Sequence, residues 1–370
     1  MKKFASRVQK VKTDVVGLDV HKDVTVFSHL DPNGDECHGG SLPSEGPVVL
    51  DMIRRVSEGR PVHVALEASG GMLWLYDLLV KEFGREWVHV AHPRKIRAIA
   101  NSNEKNDAND AYWLAYYTSE SRLPEAEMPT GVTRELRLAA RARMEAVKLR
   151  SRASVLVKSY LRQMGERLPT VRLDAVAGLE RARALASAAP GMLGAALKAS
   201  LARFDAARVE VAAWDDAIAA LGKDLPAVEL LAKKVPGVGP TLAAVIAAES
   251  GPITRFASAK AYAKYTGMTP SDRSTGGRTI HGGMTREGSP YLRWALVQAV
   301  MACLRSSREA GSGARGAVAR WVDAKQKRLG SKKKARVAAA RKLATVIWWL
   351  FHRPEDFNAF RPFAGGAAMN

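Results

Sequence analysis

The sequence predicts an α/β amino-terminal domain followed by a mostly helical carboxy-terminal region. Two β-rich runs, "DVVGLDV" and "VTVFSHL", open the chain, and a third short strand follows the turn signal "DPNGD". Two further strand candidates (62–68 and 87–93) alternate with helical patterns at 71–84 and 109–117. Three early strands followed by alternating strands and helices is the order expected of a ribonuclease-H-like fold over residues 1–130.

Residues 131–225 change character, because they are rich in Ala, Arg, Leu, Glu and Lys with apolar residues at helical spacing. This pattern predicts two long helices broken near Pro169 and Pro190, with a coiled coil as a further possibility. The preferred interpretation is a helical linker.

Residues 226–370 form the predicted carboxy-terminal domain. Its opening "VPGVGP" resembles a helix-hairpin-helix element, in which backbone N–H groups at a helix amino terminus can receive a phosphate. A plain turn between two helices is about as good an interpretation of so short a motif.

The charge balance of the chain indicates a polyanionic partner. It carries 57 Lys+Arg against 37 Asp+Glu, a net charge of +20 with a pI of about 10.1. Nucleic acid is the leading candidate and an anionic membrane surface the weaker one. Cys37 and Cys303 lack the spacing of a disulfide framework or a zinc site. With neither a signal peptide nor an apolar run of about 18 residues, the chain is predicted to be cytoplasmic with no membrane partner.

Four carboxylates stand in positions that suit metal binding. Asp19 interrupts an apolar strand, Glu67 closes another, and Asp107 and Asp110 share one helix face. Mg²⁺ prefers carboxylate, water and phosphate oxygens, and two ions about 4 Å apart stabilise both oxygens of a phosphodiester exchange. We therefore expect a site for two Mg²⁺ ions, with Mn²⁺ as the alternative. Each acid alone also has a structural explanation, and Asp107 in particular could be a helix N-cap.

Basic residues in several segments are candidates for nucleic-acid contact, although most such charge runs are simply solvated. They are Lys105, Lys233, Lys234, Arg273, Arg278, Arg286, Arg293, Lys332, Lys333, Lys334, Arg336, Arg341 and Lys342.

The segment "SDRSTGGRTIHGG" (271–283) holds several hydroxyl groups and almost no aliphatic residue. Ser274 and Thr275 lie between Arg273 and Arg278, whose charge would offset that of a phosphate, on a loop loosened by two glycines. Without further information a structural loop is the better interpretation. The nearby Ser289 fits an N-cap ahead of Pro290 at the first helical position.

In combination, these motifs resemble one family over nearly the whole chain. "GLDVHK", "ALEASG" and "KNDANDA" are similar to the Asp, Glu, Asp, Asp motifs of the DEDD transposases, the IS110 family of insertion-sequence recombinases. The likeness continues through "VPGVGP", "YTGMTPSDRSTGGRTIHGGMTREGSPYLRWAL" and "KKKARVAAARKLA". "KND" replaces the family's usual "KTD" and leaves the aspartates in place.

The resemblance implies a RuvC-like amino-terminal domain, a coiled-coil linker and a carboxy-terminal transposase domain. It also implies that the DEDD acids bind Mg²⁺ while a hydroxyl of the second domain attacks DNA and forms a covalent protein–DNA link. In the family the composite site is assembled between subunits, so a homo-oligomer from dimer to tetramer is expected. The resemblance further implies an element-encoded guide (bridge) RNA that pairs with the donor and target DNA.

The nucleophile position departs from the family pattern. A gapless count from "GMTP" places the family's catalytic serine at Thr275, because this threonine directly precedes Gly276, whereas Ser274 lies one residue earlier. Ser274 is favoured on chemistry, since the extra methyl group of threonine crowds an attack on phosphorus. Loss of strand transfer is a third possibility.

Three functions therefore compete at this point. The first is an RNA-guided DNA recombinase, and the second is a metal-dependent nuclease or junction resolvase that activates water. The third is a non-catalytic nucleic-acid-binding protein whose acids are structural.

Overall fold

The computed structural model describes residues 10–93, 95–96, 106–166, 173, 175–275, 278–306, 313–355, 357–358 and 363. They fall into two compact units, Met1–Met128 and Pro129–Asn370. The further division of the second unit at residue 225 stays a prediction.

The first unit is built on a five-stranded mixed sheet. Its strands are β1 (Asp14–Val20), β2 (Val24–Leu30), β3 (Glu36–Pro43), β4 (Val62–Glu67) and β5 (Val88–Ala91), in the order β3-β2-β1-β4-β5. β1, β2 and β3 pair antiparallel, whereas β1, β4 and β5 pair parallel. The bounds predicted for the first two strands are confirmed, and the mixed sheet agrees with the ribonuclease-H-like prediction.

Helices cover both faces of this sheet. α1 (Gly46–Val56) and α2 (Leu73–Phe83) pack on one face, in a core that includes Val16 and Leu18 of β1. α3 (Asp107–Ser119) packs on the other face, where its Leu114 and Ala115 contact Ala65 and Val15. Because β1 is covered on both sides, its sequence is almost continuously apolar.

The second unit is mostly helical, as expected. Its helices are α4 (Gly131–Gln163), α5 (Val176–Ala188), α6 (Gly191–Gly222), α7 (Pro226–Lys234), α8 (Pro240–Ser250), α9 (Ala259–Tyr265), α10 (Pro290–Ser306), α11 (Ala314–Leu329) and α12 (Lys332–His352). Its only strands among the described residues are β6 (Pro270–Thr275) and β7 (Arg278–Met284).

The two predicted long helices are α4 and α6, which pack antiparallel. Arg143 of α4 forms an ion pair with Asp215 of α6, while Val157 and Leu201 share a core farther along the pair. Pro190 is the N-cap residue of α6, which confirms the predicted break there. Pro169 lies outside the described residues, and a coiled coil stays a prediction.

The "VPGVGP" motif forms the turn between α7 and α8. Gly237 has a φ of +73°, and a Cβ there would lie 2.1 Å from the carbonyl oxygen of Ala299 on α10. Both its conformation and its packing thus require glycine. Phosphate binding by this turn stays a prediction.

The hydroxyl-rich segment forms a β-hairpin, so its description as a loop is wrong. β6 and β7 pair antiparallel, with Ser274 opposite Thr279 and Thr275 opposite Arg278. Backbone pairing of this kind is hard to foresee in a strand poor in apolar side chains, because no hydrophobic alternation marks it.

Among the described helices, none is long and apolar enough to cross a membrane.

Candidate metal centre and nucleophile hairpin

Strand alternation places Asp19 and Glu67 on the face of the sheet that α3 covers. Val15 of β1 and Ala65 of β4 both contact α3, and side chains two residues apart on a strand share a face. The parallel register ends at Leu18 and Leu66, so Asp19 and Glu67 follow as neighbours at the carboxyl ends of adjacent strands. Both acids therefore face the helix that carries Asp107 and Asp110.

A close backbone approach brings that helix to β1. A Cβ at Gly17 would lie 2.0 Å from the carbonyl oxygen of Ala111 and 2.7 Å from the amide nitrogen of Ala115. Neither backbone atom can move aside as a flexible side chain would. Gly17 thus allows α3 to lie directly on the strand that ends in Asp19.

The start of α3 orients the remaining two acids. Asn106 is the N-cap residue, and its side chain accepts a hydrogen bond from the Ala108 amide. The alternative that Asp107 caps this helix is therefore wrong. Asp107 and Asp110 lie in the first turn, where the helix dipole favours carboxylates.

His21 joins the acids and was missed by the sequence analysis. Its Nε2 lies 3.1 Å from Oδ2 of Asp19 and 3.4 Å from Oδ2 of Asp107. The ligand atoms of these three residues all lie within 4.8 Å of one another. The available signal was the spacing, because His21 follows Asp19 by two residues at the end of an extended strand.

The surroundings of Asp19 disfavour its charged form. Burial makes the largest contribution and raises the pKa of Asp19. The negative charges of Asp110 and Asp107 also raise it, whereas His21 lowers it, and the resulting pKa lies above the usual value. The side chain of Asp19 is only 15% exposed, so solvent screens these charges incompletely. The attraction of a bound cation would offset both the repulsion and the cost of burying the charge.

The donor set fits a divalent cation. Carboxylate oxygens from β1 and α3 converge on one point, and the register places Glu67 on the neighbouring strand. Hard divalent ions take several oxygen ligands from carboxylates and water. Asp19 and Asp107 could therefore hold an ion together, whereas Glu67 and Asp110 are not in this group of three and their part in the site stays a prediction.

In the second unit, an ion pair with one buried partner lies beside the residues that follow the hairpin. Glu249 of α8 is 2% exposed and accepts two hydrogen bonds from Arg141 of α4, at 2.7 and 3.0 Å. Ser289 donates to Glu249 at 2.8 Å and also caps α10, accepting from the Leu292 amide. The prediction of Ser289 as an N-cap is confirmed, and its second partner was not foreseen.

Two glycines close the base of the hairpin. A Cβ at Gly288 would lie 1.9 Å from the carbonyl oxygen of Tyr265, and one at Gly267 would lie 2.6 Å from the Gly288 amide nitrogen. The chain before β6 and the chain after β7 are therefore in backbone contact. This contact fixes where the paired strands with Ser274 and Thr275 begin.

The predicted nucleic-acid-binding residues differ in how freely their charges are presented. Lys234, Arg286 and Lys332 to Lys334 are exposed, and Arg336 and Arg341 are half-buried. Lys105 and the side chains of Arg273 and Arg278 lie outside the described residues, as do those of Ser274 and Thr275.

Three of the predicted cations have protein partners. Lys233 forms an ion pair with Glu229, and Arg293 donates to the Gly288 carbonyl oxygen at 2.5 Å. Lys342 lies over the Trp321 ring, 4.9 Å from its centroid, and burial together with Lys325 lowers its pKa. Contact between these three and nucleic acid stays a prediction.

Comparisons with known proteins match both units. A transposase family model of the DEDD, IS110 type matches residues 16–166, and the model "Transposase IS116/IS110/IS902 family" matches residues 229–313. A "Probable family 20 transposase" of Pseudomonas aeruginosa is 27% identical over 94% of this chain and 98% of its own. The "Transposase for insertion sequence element IS1111A" of Coxiella burnetii is 25% identical over 96% and 94%. The corresponding protein for IS1328 of Yersinia enterocolitica is 24% identical over 90% and 95%.

These matches identify a DNA transposase of the DEDD class. The mixed sheet with its acidic cluster, followed by a mostly helical unit, agrees with that class. Such a protein is an enzyme that cuts and joins DNA strands, so the non-catalytic alternative is wrong. Within this class, the chain belongs to the IS110 family.

Proposed function

We propose that this enzyme cuts and rejoins the DNA of an insertion sequence through a covalent protein–DNA intermediate. Asp19, Glu67, Asp107 and Asp110 bind Mg²⁺, with two ions expected and Mn²⁺ as the alternative. A hydroxyl of Ser274 or Thr275 supplies the nucleophile. The observation that supports the proposal is the convergence of Asp19 and Asp107 from a strand end and a helix start. His21 only partly compensates the charge of Asp19.

The acids hold the cation beside the phosphate that reacts. A bound divalent ion neutralises charge that develops on phosphate oxygens during the exchange. Asp107 and Asp110 lie on one helix turn, while Asp19 and Glu67 lie on paired strands, so each pair is held by regular hydrogen-bonded structure. Such rigid support keeps the ligands in place without reorganisation during the reaction.

The attack by the hydroxyl exchanges one phosphodiester bond for another. The Ser or Thr oxygen loses its proton and forms a new bond to phosphorus, while the bond between phosphorus and one DNA oxygen breaks and that DNA oxygen takes up a proton. In the reverse sense, a DNA hydroxyl attacks the protein–DNA linkage and restores the Ser or Thr hydroxyl. Strand joining therefore needs no external energy source, whereas resealing a phosphodiester bond that water had hydrolysed would require one.

The partners follow from charge and from the family. The net charge of +20 suits several nucleic-acid strands at once, and the exposed Lys332, Lys333 and Lys334 suit phosphate contact. We propose that donor and target DNA are selected by an element-encoded guide RNA and that a homo-oligomer assembles the reacting groups. RNA that co-purifies with the chain expressed from its own element would then come from the non-coding flank of that element. An even sample of cellular transcripts would contradict RNA guidance.

The metal half of the proposal is tested by recombination in cells that carry the complete element and a target plasmid. D19N should reduce recombinant junctions by about 10²–10³-fold or more, the loss expected when an electrostatic contribution to the transition state is removed. The matched control is D23N, an exposed carboxylate four residues away in the turn after β1. Unchanged recombination in D19N would overturn the proposal.

The nucleophile half is tested with S274A, T275A and the control S271A on the same strand. Denaturing purification of the DNA-bound protein, digestion and mass spectrometry should locate a nucleotide on one of the two hydroxyls. Replacement of that residue should abolish both the adduct and the junctions. Full recombination in both S274A and T275A would contradict the hydroxyl mechanism.

A further inference from the structure

His21 occupies a position that a simple surface ion pair does not explain. It follows β1 directly, and its Nε2 contacts Asp19 near the end of that strand and Asp107 at the start of α3. A histidine that needed only a partner for its N–H would be satisfied by one carboxylate. His21 instead directs a single nitrogen between two carboxylates on different elements.

The spacing of these atoms suits neighbouring ligands of one ion. Metal–ligand bonds of about 2.1 Å at right angles place adjacent ligand atoms about 3 Å apart. The Nε2–Oδ2 distances of 3.1 Å to Asp19 and 3.4 Å to Asp107 are of that size. The imidazole thus needs little movement to share an ion with both acids.

Other histidines of the same unit have different surroundings. His29 is buried, bonds to Asp14 at 2.8 Å and faces His38 at 3.2 Å. His63 faces His89, whose other ring nitrogen lies 2.6 Å from Glu125. Within the described part of the chain, His21 is the histidine found in a group of three side chains that could hold an ion.

We propose that His21 is a ligand of the divalent cation and that the site consequently binds Mn²⁺ more tightly than Mg²⁺. This inference rests on the proposed metal site and specifies its ligands. Mg²⁺ takes oxygen ligands almost exclusively and keeps several waters. An imidazole nitrogen is a good ligand for transition-metal ions, and Mn²⁺ is one of them that also suits carboxylate ligands. Mg²⁺ still binds through the acids where it is abundant.

The direct test is pulsed electron paramagnetic resonance of the full chain loaded with Mn²⁺, which detects a ¹⁴N nucleus bonded to the ion. The wild type should show imidazole nitrogen coupling, and H21Q should lose it while still binding Mn²⁺. The matched control H38Q replaces an exposed histidine on the edge strand β3 and should keep the coupling. Absence of coupling in the wild type, or its persistence in H21Q, would overturn the assignment.

The ion preference is tested by calorimetric titration of the same proteins with Mn²⁺ and with Mg²⁺. H21Q should lower Mn²⁺ affinity by at least about tenfold, because loss of even a partner of a ligand costs that much. Mg²⁺ affinity should change less, so the preference for Mn²⁺ falls. An equal loss for both ions would contradict the proposed preference.

These measurements are separate from the test of recombination. If the wild type shows nitrogen coupling from His21 but D19N still recombines, the proposed function is refuted and His21 remains a metal ligand. If D19N loses recombination but the wild type shows no coupling, the proposed function stands and His21 is not a ligand.

Discussion

The two ends of strand β1 hold their aspartates in opposite ways. Asp14 opens the strand, is 1% exposed, and accepts hydrogen bonds from Arg60 at 2.9 and 3.2 Å. The His29 ring lies 2.8 Å from the same carboxylate. Burial raises the pKa of Asp14, but the hydrogen bonds from Arg60 and His29 outweigh it and leave the pKa below its usual value. This carboxylate is fully compensated by protein groups.

Asp19, at the other end, faces Asp107 and Asp110 and has a raised pKa. Its carboxylate contacts one exposed histidine rather than a guanidinium. From this difference we interpret Asp14 as a structural acid and propose Asp19 as a functional one, because a half-buried acid among like charges destabilises the fold unless a cation binds. The same criterion places Glu249, which Arg141 and Ser289 satisfy, with Asp14 as a structural acid.

Gly17, between the two ends, provides the largest expected effect. G17A should cost about 3 kcal/mol, the upper end of the range for overpacking, because the added Cβ meets the backbone of α3. It should also weaken cation binding, since it displaces Asp107 and Asp110 from Asp19. Urea unfolding and Mn²⁺ titration measure the two effects. G39A on β3, whose added Cβ makes only 3.6 Å contacts, is the control. Equal behaviour of the two variants would contradict the role of Gly17.

D14N tests the compensated end of β1. Breaking a buried pair costs about 3–5 kcal/mol. Arg60 is 45% exposed and can regain water, so we expect about 2–3 kcal/mol from urea unfolding at pH 7. Cation affinity should stay unchanged, because Asp14 lies at the far end of the strand. If D14N lost cation affinity as well as stability, Asp14 and Asp19 would not differ in role as this comparison requires.

E249Q extends the comparison to the second unit. It should lower stability by about 2 kcal/mol, since Arg141 loses a bidentate partner but is itself 43% exposed. S289A removes one hydrogen bond to the same carboxylate and should cost about 1 kcal/mol. Urea unfolding gives both values. A gain in stability in E249Q would show that Arg141 and Ser289 do not compensate the cost of burying the Glu249 carboxylate.

The pH dependence of stability provides a smaller and more specific effect. The pKa of Asp19 is raised on folding, so its ionisation destabilises the fold above that pKa and the penalty disappears as the pH falls through it. Without cations, D19N should exceed the wild type in stability at neutral pH and lose this advantage in acid. The pKa of Asp14 is lowered, so its contribution is present above about pH 3.9 and is lost only below that. Urea midpoints of wild type, D19N and D14N from pH 3 to 8 measure both contributions. A difference between wild type and D19N that does not change with pH would contradict the raised pKa of Asp19.

Much of the first unit could be predicted because local patterns specify it. Apolar runs gave the bounds of β1 and β2, and an acid within such a run marked Asp19. The spacing of Asp107 and Asp110 on a helix needed no tertiary information. The family model supports the same segment as a DEDD transposase domain, whereas the roles of the four acids stay predictions.

What sequence could not provide depends on contacts between distant residues. Glu249 and Arg141 lie 108 residues apart, and Gly17 is required only because α3 packs on β1. The hairpin of β6 and β7 lacks hydrophobic alternation, so the pairing of its strands could not be predicted from the sequence. Lys342 was assigned to the basic surface, although Trp321 lies beneath its ammonium group.

Cation-dependent stability of the wild type and D19N tests the central claim most directly. At a concentration of 100 times its Kd, Mn²⁺ should stabilise the wild type by about 2.7 kcal/mol in urea unfolding. D19N should be the more stable protein without the cation and should gain almost nothing when it is added. Equal stabilisation of both proteins by Mn²⁺ would show that the acids at the end of β1 are not the cation site.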